Sequence, residues 1–358
     1  MERSRFYKFF PPPQFIQMPA VGFDISDASI RFIELIETRK GFVIGRFGEH
    51  TIPAGIIESG EVKKPTALRA IFQEIKKQYN LEYVSVSLPE ERAYLFELKL
   101  PAMKHNEIHG AIELSLEEHV PLKASEVIFD YEILRESEAA LRVAVSATPR
   151  ALVDGYLEAF FDSGIKPISF EIETQSVARA VVPEGDKLSY MVVDFGNMRT
   201  GITIVSEEVV QFASTVTTGG AVLTDAISKN LKISYEEAEK IKREKGISLN
   251  GENEGMSRDL LAPISVIRDE IAKDLMFWQT HDDEYGKKRP AIQKIYLCGG
   301  DSNLLGLVGY LASSLPSPVE LANVFVNVNK LSTYVPVINF DDSLRYATAI
   351  GLALRSLE

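Results

Sequence analysis

The chain is poor in the residues that build covalent and metal staples: one cysteine, one tryptophan and five histidines occur in 358 residues. A single Cys298 excludes an internal disulfide and suits a reducing compartment. Cations are also in deficit, with 39 Lys and Arg against 51 Asp and Glu and a formal charge of −12. A nucleic-acid surface needs clustered cations to displace counterions, so no nucleic-acid partner is expected. Long uncharged apolar runs are missing too, which leaves nothing to span a membrane. The first fifteen residues carry charges and Pro11, Pro12 and Pro13 instead of the apolar core of a signal peptide, so a cytoplasmic protein is expected. His105, His109 and His119 lie among Glu107, Glu113, Glu117 and Glu118, a pattern better read as an exposed helix face than as a metal site.

What the chain does have is length for two or more cores, since single cores stop growing at about 250–300 residues, and an ordinary globular composition, 45% apolar and 25% charged. Its most informative stretch is residues 190–205, YMVVDFGNMRTGITIV. An apolar run ends in Asp194, a polar turn holds Gly196 and ends at Thr200, and a second apolar run follows, which reads as a hairpin. Such a turn can aim amides at a phosphate while the acid holds a metal-bound water; equally, it can be an ordinary hairpin with an Asx-turn. Residues 21–35, VGFDISDASIRFIEL, repeat the design, with Asp24 after an apolar run, the small Ser26 two residues on, and a following strand that carries Arg31. A repeated unit suggests two related halves gripping phosphates from both sides.

Several other features sit around these turns. Residues 1–18 join a basic aromatic segment to the proline run, an extended arm whose Phe9, Phe10 and Phe15 have either its own surface or a partner's to pack on. Strands are expected up to Pro53, then a helix from Pro65 with Leu68, Ile71, Phe72 and Ile75 on one face, then the strand YVSVSLP. Residues 91–164 change pattern to strand, helix, strand, strand, helix, and a strand resumes directly afterwards, which is how an inserted subdomain looks. In the second half, Thr218, Gly219 and Gly220 precede a helix and leave amides near the positive end of its dipole, an anion-friendly place; a ligand-free glycine turn would look the same. Ser234 and Glu237 form a capping box, and Glu239 and Lys242 share one face of the helix that follows. The run SLNGENEGMSRD reads as a mobile loop before a long helix over 260–280. Gly299 and Gly300 close a strand, Asp301 or Ser302 can cap the next helix, and paired glycines let a flat ring approach the backbone. The small residues Ala347, Ala349, Gly351 and Ala353 allow close contact by the final helix.

Taken together, these motifs resemble the actin-like ATPase superfamily. Residues 24–31 are similar to its first phosphate motif, 194–200 to the second, and 299–306 to its adenosine motif, while Glu239 and Lys242 are similar to its A-E-x-x-K helix near the ribose. The inserted unit is similar to the subdomain of the FtsA/PilM branch, and FFPPP, DISDASIRF, KLPAM, EEHVPL and ISYEEAEKIK look more like the PilM side. The implied fold class is α/β, an actin-like two-half fold with an inserted α+β (SHS2-like) subdomain. The expected domains are an arm at 1–18, a first half at 19–90 with 165–185 and a closing helix at 343–358, the insertion at 91–164, and a second half at 186–342 with a helical subdomain near 221–289.

The resemblance implies ATP and Mg2+ as ligands. Asp24, Ser26, Arg31, Asp194, Gly196, Thr200, Gly219, Gly220, Glu239, Lys242, Gly299, Gly300 and Ser302 would contact the cofactor, with Asp24 and Asp194 holding the metal through water. Ser26 stands where the superfamily usually has glycine, and Asn197, Met198 and Arg199 replace a glycine run, so slow or absent hydrolysis is expected. Glu171 and Glu173 are the candidate catalytic acids and are equally explained as helix-start residues. The implied role is a cytoplasmic adaptor and scaffold of type IV pilus assembly, or of related type II secretion. It would dock the cytoplasmic tail of a PilN-like membrane-anchored protein and sit at the inner membrane through its partners, with no membrane insertion of its own. The pilus motor ATPase is a further candidate partner and an oligomer stays open. Leu100, Met103, Ile108 and Ile112 are candidates for an apolar wall of the docking groove, or for the core of the inserted unit. An FtsA-like division anchor and a small-molecule kinase remain as alternatives; the first would need an amphipathic membrane helix at the end of the chain, which here closes at RSLE.

Overall fold

A computed structural model of the protein describes residues 20–38, 41–137, 139–247, 254–282, 286–329 and 334–355. The arm expected at 1–18 and the first half of the loop expected at 248–259 lie outside the described residues. The described chain forms two compact units, one of residues 20–30 and 49–173, the other of residues 31–48 and 174–355.

In the first unit, the strands Val21–Ile25, Tyr83–Leu88 and Lys166–Ile172 lie side by side and parallel, with Tyr83–Leu88 in the middle. Val21–Ile25 is buried throughout, as a strand covered on both faces must be. The helix Pro65–Tyr79 begins on a proline, whose missing N–H costs nothing there, and ends at Asn80 in the left-handed region. Its Leu68, Ile71, Phe72 and Ile75 are buried as the spacing predicts. Phe72 stacks on Phe160 of the helix Arg150–Phe160 at 4.4 Å and meets Phe23 edge-on at 5.6 Å, which fastens both helices to the sheet.

Residues 94–149 build a three-stranded antiparallel sheet with Ala140–Pro149 between Tyr94–Pro101 and Val127–Glu136. Strict alternation puts Leu141, Val143, Val145 and Ala147 on one face, and the helix His105–His119 covers that face. Here the structure corrects an expectation. Leu100, Ile108 and Ile112 are buried at 7%, 0% and 0% exposure, and Met103 is partly buried against them, so they form the small core and not an open groove wall. Ile108, Ile112 and Leu116 fall four residues apart and present one helix face to the apolar side of the sheet. The histidines of this region take aromatic or acidic neighbours: His109 lies against Phe129 and His119 on Phe96, both at 4.5 Å, and His105 faces Glu136 at 3.4 Å.

The second unit is organised on a five-stranded sheet in the order Val209–Val216, Thr200–Ser206, Ser189–Phe195, Ile292–Cys298, Val319–Leu321. The first three form an antiparallel meander, and the last two run parallel to Ser189–Phe195. Alternation sends Met191, Val193 and Phe195 to one core, shared with Leu223, Ile227, Ile264, Ile271 and Trp278 of the helices Gly220–Leu231 and Glu254–Thr280. It sends Tyr190 and Val192 to a second core with Ile33, Leu35, Val177, Val181, Ile350 and Ala353. The long helix begins at Glu254, six residues before the expected start, and runs through Pro263. Among the described residues no helix is long and apolar enough to cross a membrane.

Candidate functional site

In the second unit, Asp194 occupies the last position but one of its strand, opposite Gly201 on one side and Cys298 on the other. The Gly299 backbone crosses directly against it: a Cβ at 299 would sit 2.3 Å from Asp194 Oδ1 and 2.5 Å from the Phe195 carbonyl oxygen, and its φ is +89°. Glycine is therefore demanded twice over at 299. Gly300 is different. A Cβ there would meet only the Arg345 Cβ at 3.8 Å, so its smallness is not used by the protein itself.

The turn after Asp194 closes through the Gly196 amide, which donates to Arg199 O at 3.0 Å. The N-terminus of the helix Gly220–Leu231 then packs onto this turn. Gly220 N–H donates to Gly196 O at 3.0 Å and Ala221 N–H to Asn197 O at 2.8 Å, and a Cβ at Gly219 would fall 2.4 Å from Asn197 O. Of the glycine amides expected to face an anion, that of Gly220 is thus spent, with the Ala221 amide beside it, on holding the hairpin turn. Thr200 is fully buried and its hydroxyl donates to Thr218 O at 2.7 Å, tying the second hairpin strand to the approach of the same helix. Ser302 is also buried and donates to Cys298 O.

Lys242 is 2% exposed and lies at the centre of a polar knot. Its Nζ donates to Asp301 Oδ1 at 2.6 Å, to Glu239 Oε2 at 2.9 Å and to Gly220 O at 3.2 Å. Glu239 further accepts from Thr224 Oγ1 at 2.6 Å and from Arg243 Nε at 2.8 Å. Burial works against ionisation of Glu239, but the Thr224 and Lys242 hydrogen bonds, the Lys242 charge and Arg243 outweigh it and pull its pKa down to about 2. Asp301 is the most enclosed carboxyl of the knot, and burial pushes its pKa up against the pull of Lys242. The helix Tyr235–Lys245 that presents Glu239 and Lys242 starts on Ser234, whose hydroxyl accepts from Glu237 N–H at 3.2 Å, as the capping box predicts.

The first unit carries the related turn. Asp24 is 7% exposed and accepts a hydrogen bond from Ser87 Oγ at 3.0 Å, while Ser87 Oγ accepts from Ile25 N–H at 2.9 Å. Ser26 folds into its own turn: its amide and hydroxyl donate to Ser29 O at 2.9 and 3.0 Å, and its hydroxyl accepts from Ser29 N–H at 3.2 Å. The side chain standing in place of glycine is absorbed by local hydrogen bonds. Glu171 is buried and pairs in register with Ser87, at the carboxyl ends of parallel strands where open α/β sheets bind ligands. Glu173 is buried at the start of the helix Glu173–Val181, and Arg31 lies half-buried on the strand Ser29–Thr38.

The second unit thus gathers Asp194, Gly196, Thr200, Gly219, Gly220, Glu239, Lys242, Gly299 and Gly300 around one turn, with Thr200 and Ser302 facing inward. Sequence reasoning missed Asp301 and Thr224 as partners of Lys242 and Glu239, and Ser87 as the partner of Asp24. The first had a weak signal, an acid directly after the glycine pair; the others had none, because nothing in a strand or helix period marks a hydroxyl as an acid's partner.

A family model described as type IV pilus assembly protein PilM matches residues 22–357. Among solved structures, a chain of a PilM-PilN type IV pilus biogenesis complex is similar with a TM-score of 0.79 and 22% identity, over 96% of this chain and 99% of that one. The ethanolamine utilization protein EutJ from Carboxydothermus hydrogenoformans is similar with a TM-score of 0.55 and 17% identity, over 96% of this chain and 90% of that one. MreB5 of Spiroplasma citri bound to ADP gives 0.55 and 11%, over 93% and 94%. These likenesses show an actin-like fold for the chain, as its motifs imply.

Proposed function

From the premise that this chain belongs to the type IV pilus assembly protein PilM family, we propose that it is an actin-like adaptor of pilus assembly that binds ATP and docks the cytoplasmic tail of a PilN-like inner-membrane protein. The match over nearly the whole chain carries this reading. It is supported by the likeness to a chain from a PilM-PilN complex. The protein would sit on the cytoplasmic side of the inner membrane through that partner, and the pilus motor ATPase is a further partner it could link to the membrane. A labelled peptide of the PilN-like protein's cytoplasmic segment is expected to bind the purified chain saturably, measured by fluorescence anisotropy. No binding, or preferential binding of the tail of the division protein FtsZ, would remove the adaptor reading.

Nucleotide binding is supported by the acid-tipped turn at Asp194, with Gly299 pressed against the carboxylate. Asp24 and Ser26 form a turn of the same kind within the first unit, and Arg31, Glu239 and Gly300 are further proposed nucleotide contacts. Mg2+ would arrive on the phosphates, held through water by Asp194; a lone carboxylate suits a hard cation whose remaining ligands are phosphate and water. The metal would neutralise phosphate charge, while the chain's own groups position the nucleotide. Asp194→Ala is expected to weaken ATP binding at least about tenfold, or about 1.4 kcal/mol. Isothermal titration finding unchanged affinity in the folded variant would count against this assignment of Asp194.

A further inference from the structure

Asp301 lies behind the turn that follows Asp194, and its contacts form an unbroken series. Its carboxylate is packed against Gly220 so closely that a Cβ there would sit 2.0 Å from Asp301 Oδ2. It receives Lys242 Nζ at 2.6 Å, and the same ammonium reaches Gly220 O at 3.2 Å. Gly220 N–H continues the series to Gly196 O at 3.0 Å, and Gly196 N–H closes the turn on Arg199 O at 3.0 Å. The Asp301 amide itself donates to Phe195 O at 3.0 Å. Asp301 thereby touches both ends of the series, the strand that delivers Asp194 and the helix start that clamps residues 196–199.

On the helix that the resemblance puts near the ribose, Lys242 would be expected to reach for the ligand. Here that ammonium is 2% exposed and satisfied by three acceptors, so its charge is used inside the protein. We infer that Asp301 is a positioning residue of the phosphate turn: by holding Lys242 against the Gly220 carbonyl it fixes the helix start whose amides set the shape of residues 196–199. The ligand consequence rests on the nucleotide-binding reading above, whereas the hold on the turn does not. Fixing the turn before the ligand arrives lowers the ordering cost of binding, and this benefit falls on ligands that carry phosphates.

The test uses the full chain with Asp301→Asn, which keeps the shape and loses the charge. A second variant, Lys242→Met with Asp301→Leu, removes acid and cation together and leaves no buried charge of that pair unmatched. In the ligand-free protein, hydrogen exchange at Gly220 and Ala221 is expected to accelerate about tenfold in both variants, with the strand amides of 190–194 unchanged. In Asp301→Asn, ATP affinity is expected to fall about tenfold, with adenosine affinity held within about twofold. Unchanged exchange at Gly220 and Ala221 overturns the inference. So does acceleration spread evenly over the unit, or equal weakening of ATP and adenosine, because each marks a merely structural role. If the unaltered chain bound no ATP, the nucleotide reading would fail by itself, and the exchange pattern would still decide whether Asp301 holds the turn.

Discussion

Lys242→Ala is expected to lower the unfolding free energy by about 3–5 kcal/mol, the cost typical of breaking a buried ion pair from one side. The ammonium is 2% exposed, and its removal strands Asp301, whose side chain is 15% exposed and has burial already working against its charge. Glu239 loses one of its donors but keeps Thr224 and Arg243, so Asp301 carries most of the penalty. Urea denaturation at neutral pH measures the loss, and a decrease below about 1 kcal/mol would show that water reaches and satisfies the carboxylate. Combining Lys242→Met with Asp301→Leu is expected to recover much of the stability, since a buried pair replaced by apolar residues of similar volume is often neutral. The pH dependence gives an independent reading. Glu239 has its folded pKa lowered to about 2, so its stabilising contribution is present in full above the ordinary Glu range near 4.5 and is lost as pH falls toward 2. Removing Lys242 weakens that acid-side slope, because Lys242 is among the groups that hold the pKa down.

Gly351→Ala is expected to cost about 3 kcal/mol or to prevent folding, at the upper end for overpacking a core. A Cβ at 351 would sit 1.8 Å from the Ser176 carbonyl oxygen and 2.5 Å from its carbon, and neither backbone atom can swing away as a side-chain end can. The helices Ala347–Arg355 and Glu173–Val181 would have to separate, and with them Ile350, Ala353, Val177 and Val181 of the shared core. The control is Gly309→Ala in the helix Leu307–Ser314, where a Cβ meets nothing within 4 Å. That change is expected to stabilise by about 0.5–1 kcal/mol through helix propensity. Thermal denaturation that ranks the two in the opposite order would mean that the final helix does not pack at this distance in solution.

The strands, helices and the repeated acid-tipped turn could be read from residue order, because each is signalled within a few residues. Helical spacing marked Leu68, Ile71, Phe72 and Ile75 as one buried face, and the small residues around Gly351 announced a close helix contact. The turns at Asp24 and Asp194 and the glycine pair at 299 and 300 were visible for the same reason. Tertiary structure decided what each polar group does. Lys242 looked like a cofactor contact sharing a helix face with Glu239 and is buried on Asp301, 59 residues away. Thr200 and Ser302 looked available to a ligand and donate inward to Thr218 and Cys298. Leu100, Ile108 and Ile112 looked able to line a groove and close their own core. Periodicity tells which residues share a face; what covers that face is set by long-range packing, and a hydroxyl or ammonium takes whichever acceptor that packing brings within about 3 Å.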